Sequence, residues 1–246
     1  MELDDLQRNW NDLGGVDPLW AILAYPERKG GRWTPEEFFA TGKAQVDEYL
    51  NVLDLLGVEL PQRSRALDFG CGAGRLTQAL SAHFAHADGV DIAESMVTLA
   101  NTFTTTPEKV AFHLNEAADL RLFADDSFDY LISIVVLQHM NNELKSAYLT
   151  EFIRVLRPGG VAMFTVPSHA DRTLNGLVRR LPNPIQNIYR RRRYGYRSVM
   201  EFHTMRRAKV EAAVVAAGGT VVAAQEEPMA GPPWKSYLYV VTKPEG

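Results

Sequence analysis

Apolar positions along the chain follow two different rhythms, and the change comes near residue 65. Residues 1–34 are mostly polar, with Trp10, Trp20 and Trp33 spread through turn-rich sequence. "TPEEFFATGKAQVDEYLNVLDLLG" then places Phe38, Val46, Tyr49, Leu50 and Leu53 at near-helical spacings. Thr34 predicts an N-cap, Pro35 suits the first helical position, Glu37 completes a capping box and Gly57 marks the stop. From residue 65, short apolar runs alternate with helical segments. The predicted strands are "RALDFG", "HADGVDI", "KVAFHLN", "FDYLISIVV" and "GVAMFTVP", with "GRLTQALSAHF", "AESMVTLANTF" and "NELKSAYLTEFIRVL" as helices between them. Such alternation predicts right-handed crossovers and a largely parallel sheet. Residues 170–203 break the rhythm with Pro, Asn and many Arg before "TMRRAKVEAAVVAAGG" resumes as a helix. Two last strands, "TVVAAQEE" and "KSYLYVVTKP", flank a Pro/Gly loop, which favours antiparallel pairing.

Composition narrows the classes without choosing one. A chain of 246 residues with 46% hydrophobic content is long enough for a sizeable core. The net charge of −4 gives no electrostatic reason to expect a nucleic-acid partner. Cys71 is the single cysteine, so no internal disulfide forms. The acidic start "MELDDLQRNW" does not read as a secretory signal, and "LISIVVL" is too short to span a bilayer. These features lead to the expectation of a soluble, cytoplasmic protein with neither a membrane nor a nucleic-acid partner. They leave the oligomeric state open.

Chemistry concentrates in "LDFGCGAGR", residues 67–75, which follows a buried-looking strand and opens a helix. Gly70 permits the turn, Gly72 lets the backbone approach a ligand, and Gly74 lets the helix start near the strand. The spacing is one residue shorter than the dinucleotide fingerprint, so the pyrophosphate signature is not met. Asp91 ends the next strand, where a carboxylate can accept both hydroxyls of a ribose. Asp68, just before the loop, would repel phosphates but suits a ligand bearing ammonium and sulfonium charges. The balance points to S-adenosylmethionine. A nicotinamide reductase is disfavoured: Tyr25 and Lys29 have the Tyr-x-x-x-Lys spacing but precede the loop, and Pro26 disturbs their helix.

"LDFGCGAGR" together with "GVDIAESMVTLA" resembles the first motif and acidic partner of class I S-adenosylmethionine-dependent methyltransferases. The resemblance continues through "LNEAADLRLFADDSFDYLISIVVLQHM" and "EFIRVLRPGGVAMFTVP", covering about residues 64–167. It implies an α/β, Rossmann-like fold: a seven-stranded, mostly parallel sheet with an antiparallel last strand and helices on both faces. A helical lid or cap over residues 1–60 would precede a core over 61–246, with a substrate-side insert at about 170–203. By position, Asp68, Gly70, Cys71 and Gly72 would line the amino-acid end of the cofactor. Asp91 would hold the ribose, Ile92 and Met96 would pack on the adenine, and Glu116 and Ala117 would meet its edge. S-adenosylhomocysteine would be the product.

Methyl transfer to a hydroxyl asks the protein to align the nucleophile, exclude water and remove a proton. Three histidines fall at the carboxyl edge of the sheet or in the insert: His139 in "VVLQHM", His169 in "VPSHAD" and His203 in "MEFHTM". His139 is the first choice of base. O-methylation of a small-molecule or sugar-like hydroxyl is the favoured reaction; N- or C-methylation and a non-catalytic cofactor-binding subunit stay open. Tyr194, Tyr196, Met200 and Trp33 are candidate substrate contacts. The run "YRRRRYGYR", residues 189–197, reads as a solvated basic face, an anion-binding element or an RNA contact. No cluster has metal-ligand spacing, and "FADDSFD" reads as a solvated turn, so no metal is expected.

Overall fold

The computed structural model describes residues 3–179, 181, 183–194 and 201–245. Seven strands form one sheet: β1 (Arg65–Phe69), β2 (His86–Asp91), β3 (Val110–Leu114), β4 (Phe128–Ser133), β5 (Leu156–Ala170), β6 (Thr220–Glu226) and β7 (Trp234–Thr242). Their order is β3-β2-β1-β4-β5-β7-β6. The first five pair in parallel, and β7 runs antiparallel to both β5 and β6, as the sequence predicts. The order reverses between β1 and β4, which opens a crevice at the carboxyl ends of these strands.

Period-two alternation divides the core between the two faces of the sheet. Leu67, Phe69, Leu131 and Phe164 pack on one side with Phe152 and Tyr239. Ala66, Tyr130, Ile132 and Met163 pack on the other with Val46 and Leu50. β4 is buried along its whole length, as a central parallel strand covered on both faces should be. Asp129 is fully buried near its start, where it accepts the Ser64 and Arg65 N–H groups at 2.8 Å each and pairs with Arg157 at 2.8 Å. Asp125 pairs with Arg154 and Asp126 with Lys243, so the acidic turn "FADDSFD" is tied to the body of the fold by three ion pairs.

The helix predicted after Thr34 is α3 (Pro35–Leu56), following α1 (Leu3–Val16) and α2 (Pro18–Ile22). Thr34 accepts the Glu37 N–H at 3.2 Å, and Gly57 closes the helix in the left-handed region. The remaining helices are α4 (Arg75–Leu80), α5 (Glu94–Phe103), α6 (Asn142–Val155), α7 (Leu174–Val178), α8 (Asn183–Tyr194) and α9 (Arg207–Ala216).

Two stretches differ from the sequence expectation. Residues 1–34 hold α1 and α2 rather than turns: Leu3, Leu6, Trp10 and Leu13 recur at i, i+3, i+7 and i+10 and form a stripe that docks beside α5. The Asn11 side chain accepts the Ser95 N–H at 3.1 Å, and its carbonyl accepts the Ser95 hydroxyl at 3.2 Å. The fourth strand stops at Ser133 instead of running to Val136, because Val135 takes φ 64° and donates its N–H to the Thr165 hydroxyl at 2.8 Å. A β-branched residue with positive φ is strained, and such strain gathers at functional sites.

Candidate functional site

β1 runs into the glycine loop, and its backbone shows why glycine is needed. Gly70 has φ 78°, and a Cβ there would sit 2.4 Å from Val136 Cγ2; at Gly72, φ is 52° and a Cβ would meet Ile22 Cδ1 at 2.7 Å. Asp91, at the end of β2, accepts the Gly72 N–H at 2.8 Å and the Ala93 N–H at 2.9 Å. Burial pushes its carboxyl upward, and these backbone donors pull it back.

The loop and Asp91 form one wall of a cavity at the carboxyl ends of β1, β2 and β4. Ile92, Met96 and Asn115 line a second side. Val135, Val136, His139, Met140 and Tyr148 form a third. Leu3, Leu6 and Trp10 of α1, with Ile22 of α2, complete the lining. A carboxylate beside a glycine turn, flanked by apolar surfaces, fits a nucleoside: ribose hydroxyls to the acid, the base against Ile92 and Met96.

Of the sequence-derived cofactor residues, Gly70, Gly72, Asp91, Ile92 and Met96 meet in this cavity. Asp68 and Cys71 lie beneath the loop. Asp68 accepts the Thr77 hydroxyl at 2.7 Å, and burial raises its carboxyl to about 6 against the opposing effects of Thr77 and the Arg75 charge. Burial also pushes the Cys71 thiol up. Glu116 accepts a hydrogen bond from Gln7 of α1, and the Ala117 carbonyl accepts the Tyr148 hydroxyl at 2.7 Å; neither residue lines the cavity, whereas their neighbour Asn115 does. Trp33 packs with Leu19, Leu23 and Phe38 and donates its indole N–H to the Leu23 carbonyl at 3.2 Å, away from the cavity. Tyr196 and Met200 lie outside the described residues, as does the Tyr194 side chain.

The three histidines separate. His139 lines the cavity, is 7% exposed and meets the Trp10 ring edge-on at 5.0 Å. Its Nδ1 lies 3.0 Å from the Glu201 carbonyl, an atom that only accepts. The proton of the neutral ring therefore sits on Nδ1, and Nε2, which has the Gln138 amide nitrogen at 3.3 Å, carries the lone pair. His169 and His203 instead line an open second cleft, together with Arg172, Arg179, Arg206 and the Phe202–Trp234 pair, whose rings stack 4.2 Å apart. The His203 Nε2 lies 3.0 Å from Glu201, yet burial and the nearby Lys145 hold the imidazole below its ordinary range. Lys145, on α6, is fully buried; its ammonium donates to the His203 carbonyl at 2.6 Å, and burial brings it down to about 7. Loop residues 137–141 and strand-like residues 201–205 thus form the wall between the two spaces, joined also by the His203 N–H to the Gln138 carbonyl at 2.7 Å.

This sheet order, with a glycine turn and a buried acid at its carboxyl edge, is an α/β arrangement that suits an adenosine-bearing ligand. Residues 66–160 match the family model described as "Methyltransferase domain". Malonyl-[acyl-carrier protein] O-methyltransferase of Bacillus cereus is 35% identical over 107 residues, 43% of this chain and 38% of the relative. The 2-methyl-6-phytyl-1,4-hydroquinone methyltransferase of Synechocystis is 31% identical over 154 residues, 62% of this chain and 46% of the relative. The chain spans less than half the length of the curated relatives named here. Magnesium protoporphyrin IX methyltransferase from Synechocystis, solved with S-adenosylhomocysteine, superposes with a TM-score of 0.65 at 18% identity, over 98% of this chain and 100% of the other. Residues 66–160 thus resemble a methyltransferase domain, and the fold is shared with proteins solved with S-adenosylmethionine and S-adenosylhomocysteine bound.

Proposed function

We propose that the protein transfers the methyl group of S-adenosylmethionine to a hydroxyl oxygen of a small-molecule acceptor. When bound, the cofactor supplies a sulfonium-activated methyl carbon; the new bond is C–O and the broken one is C–S. Asp91 takes the ribose hydroxyls, Ile92 and Met96 clamp the adenine, and the backbone at Gly70 and Gly72 admits the amino-acid end. Asp68 acts from beneath the loop as a fixed negative charge. His139 accepts the hydroxyl proton on Nε2, where the acceptor displaces the Gln138 amide, and the resulting imidazolium is steadied by the Glu201 carbonyl on Nδ1. Residues of α1 and α2 act as a lid that keeps water from the reacting atoms. The acceptor's reacting oxygen enters the cofactor cavity itself, beside His139. The oxygen-methylating relative named above agrees with this choice of acceptor atom.

The observation that carries this reading is the position of His139: of the three candidate histidines, it is the one that lines the cofactor cavity. A radiolabelled methyl-transfer screen over phenols, quinols, sugars and carboxylic acids identifies the acceptor. His139→Gln is then expected to lower kcat by about 10²–10⁴-fold while S-adenosylhomocysteine affinity stays within a few fold. Transfer at an undiminished rate in that variant refutes the role of His139 and favours a nitrogen acceptor, which needs less proton removal.

A further inference from the structure

The insert between β5 and α9 holds a feature that methyl transfer leaves unused. Residues 172–200 contain eight arginines and no lysine, aspartate or glutamate. That is +8 within a chain of net −4, which leaves −12 on the rest. The same stretch exposes large aliphatic side chains: Leu174, Leu177, Val178, Leu181, Ile185 and Ile188 are between 45% and 84% exposed. Isolated exposed hydrophobes are ordinary, but a contiguous group of them marks an interaction surface.

Their spacing puts them in stripes. Leu174, Leu177 and Val178 stand at i, i+3 and i+4 on α7. On α8, Ile185, Ile188 and the exposed Arg192 stand at i, i+3 and i+7, while Gln186 turns inward. The Gln186 amide donates to the Arg179 and Leu181 carbonyls at 2.9 and 2.6 Å, so α8 is tied to the chain that leaves α7. Aliphatic anchors alternating with arginine, and no carboxylate between them, are the composition of a helix lying in a lipid interface. The stems of arginine extend along acyl surface while their heads reach phosphate.

We propose that α7 and α8 dock on the surface of an anionic lipid bilayer, with the aliphatic stripes at the acyl boundary and Arg172, Arg179 and Arg192 toward the headgroups. The expectation of no membrane partner rested on the absence of a spanning run, and a surface-lying helix needs none. Among the described residues no helix is long and apolar enough to cross a membrane, so the attachment is peripheral. Nucleic acid would use the arginines and tyrosines of residues 189–197 but would leave Leu174, Leu177, Ile185 and Ile188 facing water. The second cleft shares Arg179 and Leu181 with this surface.

The test is co-sedimentation of the full chain with phosphatidylcholine vesicles, with and without phosphatidylglycerol. Titration with S-adenosylhomocysteine and sedimentation velocity run in parallel. The protein should pellet only with the anionic vesicles. Binding should weaken at least about tenfold as ionic strength rises from about 0.01 M to about 0.15 M and the Debye length shrinks from about 30 to about 8 Å. Ile185→Glu with Ile188→Glu should weaken it by about 10- to 100-fold while S-adenosylhomocysteine still binds. Leu177→Gln with Val178→Gln gives an independent pair if the first fails to fold. Three results overturn the proposal: no pelleting of the wild type at low salt, full pelleting of a folded double variant, or a wild-type dimer that the substitutions disperse, which assigns the face to a second copy. An RNA oligomer bound equally by wild type and variants, without vesicle binding, gives the arginines to nucleic acid instead. The vesicle result is independent of turnover, so an absent acceptor leaves it readable.

Discussion

Lys145 should set the pH dependence of stability above neutrality. Its ammonium lies wholly inside the protein with one backbone acceptor, and burial moves it from 10.5 to about 7. A cation whose folded value is depressed is protonated in the unfolded chain but not in the native one between those two values. The unfolded state therefore binds more protons there, and stability rises with pH. At 1.36 kcal/mol per unit, a shift of about 3.5 units corresponds to about 5 kcal/mol at most between low and high pH. Integrated from pH 7 to pH 9, this one group contributes about 2 kcal/mol. Lys145→Met fills the same space without the charge and leaves the His203 carbonyl short of a donor, at a cost of about 1–3 kcal/mol. Urea denaturation of both proteins at half-unit steps from pH 6 to pH 9 isolates the effect. The variant should be the more stable at pH 6, and its advantage should shrink by about 2 kcal/mol between pH 7 and pH 9. A difference that stays constant across the range means that Lys145 is charged in the native state, and the argument fails.

Asp68 titrates with the opposite sign. With its folded value raised from 3.8 to about 6, the native state holds the extra proton between these limits, so stability falls as pH rises through them. Asp68→Asn should gain up to about 3 kcal/mol at pH 7 in denaturant melts, and by calorimetry it should weaken S-adenosylmethionine more than the uncharged thioether product. Asp91→Ala removes an acceptor of two backbone N–H groups and the proposed ribose contact, so cofactor affinity should drop about 10- to 100-fold in the same titration. Gly42→Ala reverses a familiar rule. Alanine normally stabilises a helix interior by about 1 kcal/mol over glycine, but here its Cβ would lie 2.3 Å from the Arg75 carbonyl oxygen, so the melting temperature should fall.

All seven strands are visible in the chain because their local signals agree with the sheet: β-branched runs, a glycine turn and an acid at the next strand end. Asp91, Gly70 and Gly72 are legible for the same reason, since their roles depend on backbone conformation within a few residues. The roof of the cavity is less so. Leu3, Leu6 and Trp10 have helical spacing, yet only docking on α5 turns that stripe toward the cofactor site, and Ile22 reaches the cavity through α2. Trp33 and Phe38, aromatic and close in sequence, instead bury against each other. Asn115 and Tyr148 carry no motif; strand order and the packing of α6 bring them to the cavity. The partition between His139 and His203 joins residues about 60 positions apart through backbone hydrogen bonds, which no side-chain pattern records.

The roof also acts on time. Gln7 bonded to Glu116 and Asn11 bonded to Ser95 fasten α1 over the cavity, and the Asp17 carboxylate, accepting the Gly30 and Gly31 N–H groups, ties the following segment to itself. Each bond contributes only about 1–3 kcal/mol net, the carboxylate ones the most, so the closure is reversible, but together they make opening infrequent. With these residues acting as the lid proposed above, spent cofactor should leave at the pace of that opening rather than at the pace of its own contacts. An inhibitor that reached up to Trp10 would gain residence time by tightening the fastening, without one added bond to the glycine loop.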